Sequence, residues 1–350
     1  MFVNFTVNNY RSFKLERTFS MEASSIKEHK NSVINEGKYS LLPIAVFYGA
    51  NSGGKSNLIM AISTMRNMVM RSVRLNEGDM LPYDPFALDE TSGSRPTMFE
   101  IQFIQKEVLY RYGFEYNRTE IISEWLYEKR FGEKANSIMG WFRDCNVLSG
   151  IETGGYEAFS LRMFLDHLNG ADEAQEFFRT LQLGFTRFTV KKTDIPQQLT
   201  THNVYDEKGL VVGERNFHKN QMESEGTKKV IEMSGPIFDT LNEGKTLIVD
   251  ELDAKLHPLL TRNIVLLFMD PERNQKGAQL IFATHDTNLL DLEILRRDQI
   301  WFAEKDKVES TDIYSLVEFK DEDGKKVRND RDIKKDYIRG RYGAIPFIGK

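Results

Sequence analysis

Gly49-Ala-Asn-Ser-Gly-Gly-Lys55-Ser56 is the stretch that decides how this chain folds. It follows an apolar run, Leu41 to Tyr48, and precedes Asn57 to Met70, where Leu58, Ile62, Met65 and Val69 recur every three to four residues. That spacing predicts a helix, so the local order is strand, glycine-rich turn, helix. The turn matches G-x-x-x-x-G-K-[ST], whose glycines let successive backbone N–H groups point at phosphate oxygens while the helix adds its positive end. Lys55 would then reach the β- and γ-phosphates of a nucleotide, and the Ser56 hydroxyl would ligate Mg²⁺. Gly49, Asn51, Ser52, Gly53, Gly54, Lys55, Ser56 and Asn57 are the expected nucleotide-binding residues.

A phosphate loop needs an acidic element on a neighbouring strand. Thr246-Leu-Ile-Val-Asp250-Glu251 supplies one, with two carboxylates after a short apolar strand, where ligands sit in open α/β sheets. Asp250 would hold Mg²⁺ through water, and Glu251 would polarise the attacking water as general base. One strand later, Leu280-Ile-Phe-Ala-Thr-His285-Asp286 again turns polar after an apolar run. A histidine there can donate to the γ-phosphate, which makes His285 a catalytic candidate beside Glu251 and Lys55.

The remaining text fits an α/β sheet with additions. Phe2 to Phe19 alternates loosely and predicts strands that open a sheet. Phe99 to Phe103, Val108 to Phe114 and Ile121 to Tyr127 carry aromatic and β-branched residues at period two, which predicts an antiparallel meander. No pattern emerges from 131 to 155, and Phe159 to Leu183 reads as helical. Met222 to Leu241 also reads as helical, broken at Gly235-Pro236 and ended by Gly244. Lys245 to Asp250, Ala278 to Ala283 and Ile300 to Ala303 are short strands, and Leu259 to Met269 is a helix stopped at Pro271. Strands alternating with helices predict a mainly parallel sheet. The expected division is an N-terminal lobe over 1–130, a helical insertion over 131–200 that offers a partner-contact region, and a C-terminal lobe over 201–350.

These elements together resemble the ABC-type ATPase heads of the SMC, RecF and OLD group, a branch of the AAA-type ATPases. In that group Walker A, signature, Walker B and histidine switch occur in this order. Asn9-Tyr-Arg11-Ser12-Phe13 resembles the group's N-terminal N-F-R-S-F element, which implies that Arg11 and Ser12 lie close to the nucleotide. Ser224-Glu-Gly226-Thr227-Lys-Lys, 26 residues before Asp250, resembles the signature motif. The resemblance implies that Ser224, Gly226 and Thr227 touch the γ-phosphate bound by a second protomer. Asp250-Glu-Leu-Asp-Ala-Lys-Leu-His257-Pro, Phe86-Ala-Leu-Asp, Ile122-Ser-Glu-Trp-Leu-Tyr and the closing Gly340-Arg-Tyr-Gly-Ala-Ile-Pro-Phe are similar to bacterial OLD-like ATPases of the RloA/AbiL and Septu type. The implied activity is Mg²⁺-dependent ATP hydrolysis by a homodimer or higher homo-oligomer that controls a nuclease or toxin effector in anti-phage (abortive infection) defence. His257 would stand at the dimer interface, where transporter-type heads carry an aspartate. A glutamine-containing loop has only Gln102 as its candidate.

Other classes fit less well. The formal charge of −5 over 350 residues gives no whole-chain attraction to nucleic acid or anionic membrane. It leaves a local nucleic-acid contact open, as in a RecF-like repair or recombination ATPase that clamps DNA. The 166 residues from 58 to 223 carry no heptads, so they form no long coiled-coil arm. Only 65 residues follow His285, too few for an appended nuclease domain. No Asn-Lys-x-Asp segment supports guanine recognition. The meander and tail do not resemble a transporter subunit. The tail from Lys320 to Arg341 carries nine basic and six acidic residues, the composition of a solvated helix face. A single cysteine, Cys145, and the lack of a signal-like start or a run near the roughly 20 apolar residues of a membrane span predict a soluble cytoplasmic protein.

Overall fold

The computed structural model describes residues 1–72, 78–130, 138–150, 156–321 and 323–345. Two sheets open the chain. Strands β1 (Phe2–Asn8) and β2 (Arg17–Ser20) pair antiparallel, the short hairpin β3 (Ile34–Glu36) and β4 (Tyr39–Leu41) follows, and β5 (Ile44–Tyr48) leads into helix α1 (Lys55–Arg71). The expected meander is β6 (Thr97–Gln105), β7 (Val108–Tyr116) and β8 (Ile121–Arg130), which completes a five-stranded sheet in the order β2-β1-β6-β7-β8. Gln102 lies in the middle of β6, opposite Asn4 and Arg111, and not in a loop.

The rest of the chain supplies α2 (Ile138–Asp144), β9 (Cys145–Ser149), α3 (Glu157–Leu165), α4 (Ala171–Thr180), β10 (Arg187–Lys191), β11 (Gln197–Tyr205) and β12 (Val211–His218). Then come α5 (Lys219–Met222), α6 (Glu225–Glu243), β13 (Thr246–Asp250), α7 (Pro258–Met269), β14 (Gln279–Ala283), β15 (Ile300–Lys305), β16 (Thr311–Ser315) and α8 (Ile333–Ile338). The central sheet runs β16-β15-β5-β14-β13-β9, parallel throughout except for β16.

The apolar strands are buried on both faces, as a covered parallel sheet requires. Ile44, Val46 and Tyr48 of β5 join one core with α3, α4, α6 and α7, while Ala45 and Phe47 join another with α1 and the five-stranded sheet. Leu280 and Phe282 of β14 and Leu247 and Val249 of β13 belong to the first core, Ile281, Ala283 and Ile248 to the second. Period-two alternation therefore sorts each strand between two cores. The fold is α/β: a mainly parallel six-stranded sheet with an antiparallel meander and an insertion between β8 and α6.

Four further expectations change. The interval 131–200 holds β9, β10 and part of β11 as well as helices, and β9 is an edge strand of the central sheet paired with β13. Its sequence Cys-Asn-Val-Leu-Ser is too short and mixed to announce a strand; pairing makes it one. The helix over Phe159 to Leu183 is two helices: α3 ends at Leu165, before the left-handed His167 (φ 48°), and α4 starts after Gly170 (φ 100°). The expected break at Gly235-Pro236 does not occur, because α6 runs through Pro236. Proline frees the carbonyl four residues back, and buried Ser160 repairs the gap: its hydroxyl donates to Glu232 O and accepts the Gly235 N–H at 2.8 Å. Ser160→Ala leaves both groups unpaired in the interior and is expected to destabilise the fold by about 1–3 kcal/mol. A urea titration reads this as a lowered midpoint; an unchanged midpoint would mean that water satisfies both groups. Among the described residues of the tail the one helix is the short α8, in which Asp336 is buried against Arg331 and Tyr342, so the tail is not a solvated helical face. The unpatterned 131–137 and 151–155, Glu322 and the closing Pro-Phe lie outside the described residues.

Candidate active site

The parallel pairing decides where the chemistry gathers. Val46 pairs with Phe282, and Phe282 with Val249, so β5, β14 and β13 end side by side. The phosphate loop, His285 and the Asp250-Glu251 pair are the next residues of those strands. Cross-links hold the ends together. Thr284 N–H donates to Phe47 O at 3.2 Å, Leu252 N–H to Ala283 O at 3.1 Å, and the Tyr48 hydroxyl to Asp286 O at 3.0 Å.

Gly54 stands at the N-terminus of α1 with φ 104°, a conformation that favours glycine, and a Cβ there would lie 2.1 Å from Thr311 Oγ1. Having no side chain, it leaves the first-turn N–H groups of Lys55, Ser56 and Asn57 uncapped by their own helix, a ready anion site. Gly49 and Gly53 lie against the Ala303 carbonyl of β15, while Asn51 and Ser52 are exposed at the loop tip. Lys55 is buried, and its Nζ donates to Gly49 O at 2.7 Å and Ala50 O at 3.1 Å. Burial lowers its pKa, against the opposing pull of Asp250, Glu251 and Asp253. The same three carboxylates act on His285, whose pKa is lowered by desolvation first and by the Lys55 ammonium second. Both effects favour the neutral imidazole, which has a single N–H to give.

Asp250 and Glu251 are clamped from both sides. Gly150, just past β9, donates its N–H to Asp250 O at 2.6 Å. Glu251 adopts a left-handed backbone, φ 54°, and opens a tight turn in which Ala254 N–H bonds Glu251 O and Leu256 N–H bonds Asp253 O. The Asp253 carboxylate accepts the backbone N–H of His285 at 3.3 Å. Asp250 Oδ1 is buried with no hydrogen-bond partner. A buried unpaired carboxylate oxygen suits a cation, and Mg²⁺ uses one or two carboxylates with substrate phosphates in place of an all-protein cage. Ser56 and Asp250 thus fit the group expected of them.

Ser12 belongs to the loop's support: Asn57 Nδ2 donates to its Oγ at 2.7 Å, and Thr311 Oγ1 lies 2.8 Å from Ser12 Oγ and 3.1 Å from Gly53 O. Arg11 instead pairs with Asp84 at 2.9 Å. Ser224 is exposed and caps α6, accepting the Thr227 N–H at 3.1 Å. Gly226 packs on the turn after Glu251, where a Cβ would lie 2.9 Å from Lys255 O. His257 is exposed and caps α7, its Nδ1 accepting the Leu259 N–H at 3.2 Å.

The profile of a family described as "AAA domain, putative AbiEii toxin, Type IV TA system" matches residues 44–136 and 157–291, well over half of the chain. The chain belongs to this AAA-domain family. As a member it is a P-loop ATPase, an ATP-binding and ATP-hydrolysing enzyme. No curated protein matches its sequence. Among solved structures, an SMC head bound to the C-winged helix domain of ScpA is similar at 13% identity, over 90% of this chain and 97% of that one, with TM-score 0.51. An SMC head domain from Thermotoga maritima is similar at 13% identity, over 90% and 98%, with TM-score 0.47. The first likeness is one of fold. Among the described residues, no helix of this AAA-domain chain is long and apolar enough to cross a membrane.

Sequence reasoning missed four parts of the AAA domain's site: Asp253, Thr311, Gly150 and Lys229. Asp253 could have been found, since Asp-Glu-Leu-Asp places it three residues past Asp250. Thr311 sits 255 positions beyond Ser56 in β16, and no local pattern links it to the loop.

Proposed function

We propose that the protein is a Mg²⁺-dependent ATPase whose copies close on ATP as a homodimer or higher homo-oligomer, and that it controls a nuclease or toxin effector in bacterial anti-phage defence. The observation that carries the closure is a second anion site, the start of α6, formed by residues other than those of the phosphate loop. The Ser224-capped start of α6 presents an exposed hydroxyl and the N–H groups of a helix N-terminus, yet it packs on the turn after Glu251. A phosphate site without a phosphate of its own is served by another chain's nucleotide. The family's description, which names a toxin and a toxin–antitoxin system, supports the defence setting.

In this reading the loop N–H groups and Lys55 bind the β- and γ-phosphates, and Ser56 and Asp250 hold the cation. When bound, Mg²⁺ neutralises charge that develops on the phosphoryl oxygens. Glu251 accepts a proton from the attacking water, and neutral His285, steadied at its backbone by Asp253, donates to the γ-phosphate. Ser12 and Asn57 brace the loop, Arg11 pairs with Asp84 against Met60 of α1, and His257 faces the partner copy. The interval 131–200 is the region proposed to meet the effector.

Light scattering tests the closure. Glu251→Gln chains are expected to associate when ATP is added; heads that stay separate at every concentration would overturn it. His285→Ala is expected to lower hydrolysis while leaving ADP affinity unchanged, because a hydrogen bond to a charged γ-phosphate, worth about 1.5–3 kcal/mol, is lost only with ATP. Equal weakening of ADP and ATP binding in a calorimetric titration would make His285 a structural residue.

A further inference from the structure

Lys229 lies one turn into α6 from the Ser224 cap and is 1% exposed. Its ammonium makes no contact with a carboxylate in its own helix. It donates instead to the backbone carbonyls of Leu252, at 3.0 Å, and Ala254. Those carbonyls flank Asp253 and directly follow Glu251. Burying a charge is costly, and a leucine or methionine would fill the same space without that cost. What the lysine adds is a donor set that holds a left-handed turn in place. Glu251 needs that hold, because a non-glycine residue at φ 54° persists only where its surroundings over-determine it. Gly226 against Lys255 O and the Glu225–Lys255 ion pair at 3.6 Å attach the same helix to the same turn.

We infer that Lys229 is a positioning residue for hydrolysis, tying the helix that carries Ser224 and Gly226 to the turn that carries Glu251 and Asp253. The inference rests on the assignment of Glu251 above. Its consequence is that Ser224 and Gly226 on one side and Glu251 on the other share one support.

The charged groups acting on Lys229 are Asp253, Lys255 and Glu251, all on the turn, and burial lowers its pKa to about 8. Loss of the proton removes one donor and the charge that strengthens both bonds, so the tether weakens as pH rises through that value.

The test is steady-state ATP hydrolysis by the full chain, wild type against Lys229→Met, Lys229→Arg and each combined with Glu251→Gln. Lys229→Met is expected to lower kcat by about 10–100-fold, the loss that small misplacements of a reacting group produce, with the KM for ATP unmoved. In the Glu251→Gln background it should lower residual turnover no further. Lys229→Arg keeps a charge at every accessible pH, so it should retain most activity and lose the alkaline fall near pH 8 expected of the wild type. A parental kcat in Lys229→Met, or an equal further loss beside Glu251→Gln, overturns the inference and leaves the base assignment standing. Parental turnover in Glu251→Gln alone overturns the base assignment and the inference with it. Should Lys229→Met fail to bind ATP or melt early, the pH profile of Lys229→Arg decides: an alkaline fall identical to wild type overturns the inference.

Discussion

Glu251→Gln is expected to bind ATP as the wild type does and to hydrolyse it about 10²–10⁴ times more slowly, the usual effect of losing a general base. The amide matches the carboxylate in size, so the left-handed turn and its bonds to Ala254 and Leu256 survive. What is lost is a proton acceptor at the end of β13. Binding stays because the loop and Lys55, the proposed phosphate contacts, are untouched by the substitution. A phosphate-release assay beside an ATP titration measures both properties. Parental turnover would assign the base elsewhere, with Asp253 the nearest candidate because it too acts on Lys55 and His285.

Ser224→Arg is expected to leave ATP bound by each head while abolishing ATP-dependent association and hydrolysis together. The side chain is exposed, so arginine enters without disturbing a core, but it fills the position that the composite-site reading gives to another chain's γ-phosphate. The substitution also removes the helix cap, worth about 0.5–2 kcal/mol, and Ser224→Ala shares that loss and serves as the control. Mixing Ser224→Arg with Lys55→Ala should restore activity. One of the two composite sites then pairs an intact phosphate loop with an intact signature. Normal hydrolysis by Ser224→Arg would show that each head works alone and would sink the composite-site reading. Failure of the mixture alone would show that both sites must be intact for turnover.

The two predictions draw on different kinds of information. Glu251 was legible in the linear text, since a run of apolar residues ending in two acids marks the end of a buried strand. Ser224 was legible only through its place in a series of motifs. Ser-x-Gly has no distinctive chemistry, and its value comes from opening a helix that lies against the Glu251 turn. Residues 145–149 and 187–218 gave weaker signals. Their strands are mixed in polarity because each belongs to an edge or a small sheet with one exposed face, so neither period nor composition stands out.

Some of this protein was determined by the order of its residues alone. Leu41 to Met70 dictates strand, phosphate turn and helix because glycine freedom, helix periodicity and the uncapped N–H groups act within a few residues of one another. The apolar Thr246–Val249 and Gln279–Ala283 runs likewise dictate short strands that end in polar loops. The tertiary structure decided what these parts do together. Sheet order placed β13 and β14 beside β5 and so gathered Lys55, the carboxylates and His285 at one edge. Ser160 kept α6 continuous through Pro236, Gly150 clamped Asp250, and buried Lys229 found two carbonyls 23 and 25 residues away. The reason is physical: a local preference is settled by a residue's near neighbours, whereas a buried polar group must find a partner wherever packing brings one.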